Sequence, residues 1–239
     1  LTLDAPRVEA IRVAVNEQLG FEVTDVKPVG LAGSAGSTPV RLKVTQDPPG
    51  RVFAKLYAKT HLRSDRWYKL GREILYGRME DETSFRSVRQ LVEYEDYLMR
   101  VMRDADVPVV PTYGIVKMTP EREYLLVTAF LHGGVEIGDP ELEVDDDLID
   151  QGLKAVRALW DAGLAHRNVK PANIMVLDHR INLIDVAFGE VRPSAWRQAV
   201  DLANMMLVLA LRTDAERVYR RALEHFTPDD VAEAFAATR

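Results

Sequence analysis

The sequence predicts an α+β fold, with an antiparallel sheet and one long helix in the first half and a short, mainly helical second half. Two observations carry this. Short apolar runs separated by Gly- and Pro-rich turns occupy residues 21–57 and 112–131, the pattern of hairpin-connected strands. From residue 146 onward apolar residues recur mostly at helical spacing, and no repeat interrupts the order.

The elements follow in turn. Residues 4–19 read as a helix, with Asp4 as N-cap, Pro6 in the first turn, apolar Val8, Ile11, Val15 and Leu19, and Gly20 as the stop. Strands fit "FEVTDVKPVG", "VRLKV" and "RVFAKLY", joined by the Gly/Ser-rich "GLAGSAGSTP" and the turn "DPPG". Residues 59–85 are polar and charged, with a helix expected near Asp65 to Tyr76. A long helix spans roughly Ser87 to Asp104, and two further strands fit "TYGIVKM" and "EYLLVTAFL". A helix from Asp146 to Ala162 opens on acids that favour its N-terminus. Beyond it, helices are interrupted only by the loop and short strands of 163–189, and Thr227-Pro228 starts the last helix.

Composition bounds the function. The chain has 239 residues, 47% hydrophobic and 28% charged, the usual range for a globular protein. A net charge of -6 argues against general nucleic-acid binding, which needs excess Lys and Arg. With no cysteine, thiolate chemistry, disulfides and Cys-ligated zinc are excluded. No apolar run is long enough to span a bilayer, so a cytoplasmic location is expected. The first residue is Leu1, which suggests a piece of something longer, such as the cytoplasmic domain of a membrane protein.

Several residues have chemistry worth placing. Gly30, Gly33 and Gly36 are spaced G-x-x-G-x-x-G, which lets backbone N–H groups approach a phosphate, or simply makes a flexible hairpin loop. Lys55 lies mid-strand between Ala54 and Leu56, facing solvent or a ligand. In "LAHRNVKPANIMV", His166, Arg167, Asn168, Lys170 and Asn173 precede an apolar strand–turn–strand that ends at Asp185. That hairpin would set Asn173 and Asp185 at its two mouths, where an amide oxygen and a carboxylate suit a hard divalent cation. Asp201 precedes a very apolar stretch and reads locally as an N-cap or first-turn acid.

"HRNVKPAN" resembles the catalytic loop H-R-D-x-K-x-x-N of the protein-kinase-like superfamily, with Asn168 in place of the Asp. The order of the remaining pieces extends the resemblance over nearly the whole chain. It implies a two-lobed fold, with an N-lobe over 1–131 and a helical C-lobe over 132–239. It implies an ATP site with Mg²⁺ or Mn²⁺, and a hydroxyl-bearing acceptor that is a protein, lipid or small molecule. Lys55 resembles the phosphate-binding strand lysine, and its partner on the long helix is Glu95, with Glu93 as the alternative. Thr128 resembles the residue guarding the back of the adenine pocket, with Ala129 and Leu131 meeting adenine through their backbone. Asn173 and Asp185 resemble the metal ligands, and Lys170 the loop lysine that contacts phosphate. Asp201 resembles the acid that anchors the catalytic loop. Fifteen residues, 186 to 200, separate Asp185 from Asp201 with no A-P-E motif. This resembles compact atypical bacterial and RIO-type kinases rather than ordinary protein kinases.

The family's Asp accepts the acceptor's hydroxyl proton; an amide cannot. The resemblance therefore implies a phosphotransferase impaired at Asn168, by substitution of an active parent or as a native pseudokinase. In the second case the domain would sense nucleotide for a partner or an attached membrane domain. A scaffold without nucleotide would not need Lys55, Asn173 and Asp185. Other features take plainer readings. His132 and His179 are loop residues, His166 is a structural histidine bonded to backbone, and Trp196 with Met205 and Met206 belongs to a helical core. Arg63, Arg66, Arg72 and Arg78 would form a basic face diluted by nearby acids.

Overall fold

The computed structural model describes residues 3–30, 37–45, 51–58, 87–119 and 123–238. They form an α+β structure with an antiparallel five-stranded sheet, two small sheets and six α-helices. The chain divides into two compact units, Leu1–Asp96 with Thr112–Phe130 and Tyr97–Pro111 with Leu131–Arg239. The division falls within the long helix α2 (Val88–Asp104).

The first unit opens with α1 (Ala5–Leu19). Asp4 caps it by accepting the Arg7 N–H at 3.0 Å. Gly20 ends it in the left-handed region at φ 72, its own N–H bonded to Asn16 O at 2.8 Å. The strands β1 (Val23–Pro28), β2 (Thr38–Val44), β3 (Arg51–Tyr57), β4 (Thr112–Thr119) and β5 (Glu123–Ala129) follow in sequence. In space their order is β1-β2-β3-β5-β4, every neighbouring pair antiparallel.

Alternation along the strands decides which residues enter the core. Val40, Leu42 and Val44 of β2, Val52, Ala54 and Leu56 of β3, and Leu125 and Val127 of β5 are buried with Ile11, Ala14 and Val15 of α1. Each fully buried Val, Leu or Ile contributes about 1.5–3 kcal/mol, so this face holds α1 to the sheet. Lys55, between two core positions, is thereby directed to the opposite face.

The second unit is built around α4 (Ala195–Arg212), which is capped by the Ser194 side chain accepting from Arg197 N–H. Against it lie α3 (Asp146–Asp161), α5 (Ala215–Ala222) and α6 (Pro228–Ala236). Asp145 caps α3. A Thr227–Asp230 capping box starts α6. Gly152 on α3 permits close approach: a Cβ there would stand 3.0 Å from Met205 Sδ and 3.2 Å from Leu209 Cδ1. The short strand β6 (Val135–Glu136) joins β8 (Ile174–Leu177) and β9 (Arg180–Leu183), and β7 (Leu164–Ala165) pairs with β10 (Glu190–Val191).

The structure departs from two expectations. Trp196 is not in the helical core but 52% exposed, whereas Met205 and Met206 are buried. At 100° per residue Trp196 shares a face of α4 with exposed Leu207 and Leu211, opposite the buried stripe. An apolar helix read by composition alone does not reveal which side faces out. Asp201 is neither an N-cap nor a first-turn acid: Ser194 caps the helix, and Asp201 lies fully buried in its second turn. The expected helix near 65–76, the four arginines from 63 to 78, and Gly33 and Gly36 lie outside the described residues. No described helix is long and apolar enough to cross a membrane.

Candidate functional site

In the first unit the sheet face opposite α1 carries a buried ionic cluster. Lys55 Nζ lies 2.7 Å from Glu95 Oε1, and the Tyr57 hydroxyl donates to Glu95 Oε2. Tyr57 and Lys55 share this face because they are two residues apart on β3. Glu95 reaches it because it lies in the buried stripe of α2, with Val88, Leu91, Val92, Leu98, Met99 and Met102. Removing a carboxylate from water is costly, so both of its oxygens need partners, and here both have one. Glu93 lies off the stripe; it is exposed and paired with Arg89 at 2.6 Å. Of the two acids considered, Glu95 is the one joined to Lys55.

Thr128 of β5 faces Phe53 in register, placing its buried side chain on the same face as Lys55. Its hydroxyl donates to Ala129 O at 3.1 Å. Gly30 adopts φ 77, a conformation that favours glycine. Leu131 belongs to the second unit, and its carbonyl accepts the Gly134 N–H at 3.1 Å.

In the second unit the chemistry-bearing residues converge around the β8–β9 hairpin. Asp178 and His179 both have positive φ, as a two-residue hairpin turn with right-handed twist requires. Ile174 pairs with Leu183, and the Ile184 N–H donates to Asn173 O at 2.9 Å. Asn173 and Asp185 therefore flank one hairpin end, as the strand–turn–strand pattern predicts. Asp185 itself is left-handed, at φ 58. Asn168 Nδ2 donates to Asp185 Oδ2 at 2.9 Å, and Asn173 Nδ2 donates to the Asn168 carbonyl at 2.8 Å. Lys170 is exposed at the start of the 3-10 turn Pro171–Asn173.

Two buried residues hold this loop. His166 Nε2 lies 3.0 Å from Ile184 O, and its Nδ1 accepts the Asn168 N–H at 3.2 Å. That pattern puts the proton on Nε2 and gives both ring nitrogens structural partners. Asp201 accepts the His166 N–H at 2.6 Å on Oδ2 and the Arg167 N–H at 2.9 Å on Oδ1. Arg167 has φ 63, a strained value for a residue with a Cβ, costing about 1–2 kcal/mol. The Asp201 bonds fix the backbone there. Burial pushes the Asp201 carboxyl up to about 6, against the pull of the two N–H donors and the Arg167 charge.

Glu190, on the strand β10, completes the support. It stands 3.6 Å from the Arg167 guanidinium and also accepts from Arg197. Sequence reading misses this clamp, because Glu190 and its two partners carry no motif. Glu190→Gln keeps the shape but removes the charge on which two largely buried guanidiniums converge. It should lower the free energy of urea unfolding by about 1.5–3 kcal/mol; an unchanged urea midpoint would refute the clamp.

The donor set at the hairpin end suits a hard divalent cation. It offers the Asp185 carboxylate and the amide oxygen of Asn173, whose orientation is fixed by its Nδ2 bond to the Asn168 carbonyl. A second cluster, Asp150, Glu224 and His225, also brings potential ligand atoms within 4.8 Å of one another. There Arg221 already grips Asp150 at 2.9 and 2.5 Å and holds its carboxyl below the usual range. That cluster joins α5 and the turn after it to α3 by ion pairing. Set beside known proteins, the chain matches no protein-family model and no curated protein.

Proposed function

We propose that this chain is the nucleotide-binding domain of a kinase-type phosphotransferase of two-lobed, protein-kinase-like fold. It binds ATP with Mg²⁺ or Mn²⁺ and is impaired in transfer by Asn168. The observation that carries this reading is the loop in which Asn168, Asn173 and Asp185 meet while Asp201 grips its backbone. The Lys55–Glu95 pair, with its carboxylate buried, supports it independently, since a lysine fixed by a carboxylate is a positioned phosphate donor contact.

The residues divide the work as follows. Lys55, held by Glu95, and Lys170 offer cationic N–H groups to phosphate oxygens, and Gly30, Gly33 and Gly36 offer backbone N–H groups. Thr128, Ala129 and Leu131 line the adenine side. Asn173 and Asp185 hold the cation, which when bound neutralises charge on the phosphates. Asn168 orients the acceptor hydroxyl by hydrogen bonding but cannot remove its proton. The acceptor is a hydroxyl-bearing protein, lipid or small molecule.

Calorimetric titration with Mg·ATP tests the reading. Saturable binding to the unaltered chain, weakened at least tenfold by Lys55→Ala, is expected; a flat titration of the folded chain would end it. A second reading, a pseudokinase sensing nucleotide for a partner or an attached membrane domain, is favoured by one contact. The Asn168 amide is already bonded to Asp185, as in a site adapted to its asparagine.

A further inference from the structure

The Asn168–Asp185 hydrogen bond joins two roles that ordinarily oppose one another. Asp185 offers its carboxylate to a cation, whereas the amide N–H of Asn168 presents partial positive charge to one of its two oxygens, Oδ2. Cation and amide hydrogens repel, so a cation bound at this carboxylate, through Oδ2 above all, meets a positive group already seated there.

The backbone at each end of the bond is held in place. The Asn168 backbone is held on both sides, its N–H by His166 Nδ1 at 3.2 Å and its carbonyl by Asn173 Nδ2 at 2.8 Å. Residues 166 and 167 are fixed in turn by Asp201. Asp185 follows Ile184, whose N–H is bonded to Asn173 O and whose carbonyl lies 3.0 Å from His166 Nε2. The contact therefore joins two pinned stretches of backbone.

We propose that Asn168 is a built-in competitor for the cation at Asp185, so that divalent-ion binding here requires breaking the Asn168–Asp185 hydrogen bond. The inference rests on the reading of Asn173 and Asp185 as cation ligands. It assigns Asn168 a second effect besides the missing base: lower intrinsic affinity for the metal. A hydrogen bond to a charged group corresponds to about 10- to 100-fold in a binding constant.

Mn²⁺ alone, without nucleotide, tests this by calorimetry and by water-proton relaxation on the whole chain. Asn168→Ala, which deletes the donor, should bind Mn²⁺ about 10- to 100-fold more tightly than the unaltered chain. Asn168→Asp, which substitutes an oxygen ligand, should also bind more tightly. It serves as the second variant if the alanine form does not fold, judged by circular dichroism. Asp185→Asn and the double variant Asn168→Ala/Asp185→Asn should lose binding. Equal or weaker binding by both Asn168 variants overturns the proposal, as does Mn²⁺ binding that survives Asp185→Asn or binding by none of the forms. ATP titration in EDTA separates the two failures. If ATP binds while the Mn²⁺ series fails, only this inference falls. If the Mn²⁺ series behaves as expected while neither ATP in EDTA nor Mg·ATP binds, the nucleotide reading falls and the cation site stands.

Discussion

On the proposed phosphotransferase reading, Asn168→Asp should raise ATP consumption by about 10²–10⁴-fold over the unaltered chain, the contribution of a positioned general base. The gain is expected because the backbone around residue 168 is already held. Its neighbours' backbone is gripped by Asp201, its own N–H by His166, and its carbonyl by Asn173. The substitution changes one nitrogen to oxygen and leaves the side-chain volume nearly unaltered. It also sets a second carboxylate against Asp185, so the gain should require millimolar Mg²⁺ or Mn²⁺ and vanish in EDTA. The measurement is release of ADP, with acceptor absent and then with pooled protein, lipid and small-molecule acceptors. If the folded variant is as inert as its parent under all of these conditions, the active-parent reading fails and the regulatory one remains.

Asp201→Ala should reduce stability by about 2–6 kcal/mol near pH 5, since it strips the buried N–H groups of His166 and Arg167 of their acceptor. Its pH dependence carries an unusual sign. The Asp201 carboxyl has an ordinary value of 3.8 and titrates in the folded protein at about 6. Between these values the folded chain holds a proton that the unfolded chain has released. The associated stability is fully present below about pH 4 and is lost as pH rises through 6, a change of about 3 kcal/mol. The unaltered protein should therefore lose this increment between pH 4 and 7 while Asp201→Ala does not, so the cost of the substitution shrinks with rising pH. Urea melts of both proteins across that range measure it. A cost that grows with pH would mean that the two N–H bonds outweigh burial and hold the carboxyl below its ordinary value.

What could be read in the sequence depended on how local the governing pattern was. The β8–β9 hairpin was legible from apolar runs flanking a short turn, and with it the placement of Asn173 and Asp185 at one end. Glu95 was distinguishable from Glu93 by helical spacing alone, because 88, 91, 92, 95, 98, 99 and 102 form one stripe. Tyr57 could have been added to Lys55 from the period of two on β3. Other features were not legible. Glu190 meets Arg167 and Arg197 through tertiary packing with no spacing rule, and Asp201 enters the core of an all-round apolar helix, where periodicity gives no orientation. The outward position of Trp196 is hidden from the sequence for the same reason. The Asn168–Asp185 bond spans 17 residues and depends on two left-handed backbone positions that no residue type announces.

Asp201 holds the loop through main-chain N–H groups, which every residue except proline supplies. The two hydrogen bonds therefore do not call for a particular side chain at 166 or 167, although the Arg167 charge adds to the hold, and they fix the path of the chain into 168 through its backbone. The loop acts as a socket into which different chemical heads can be fitted. An amide or a carboxylate at 168 would sit on the same backbone, so on the proposed reading the identity of one residue sets whether phosphate is transferred while the fold stays unchanged.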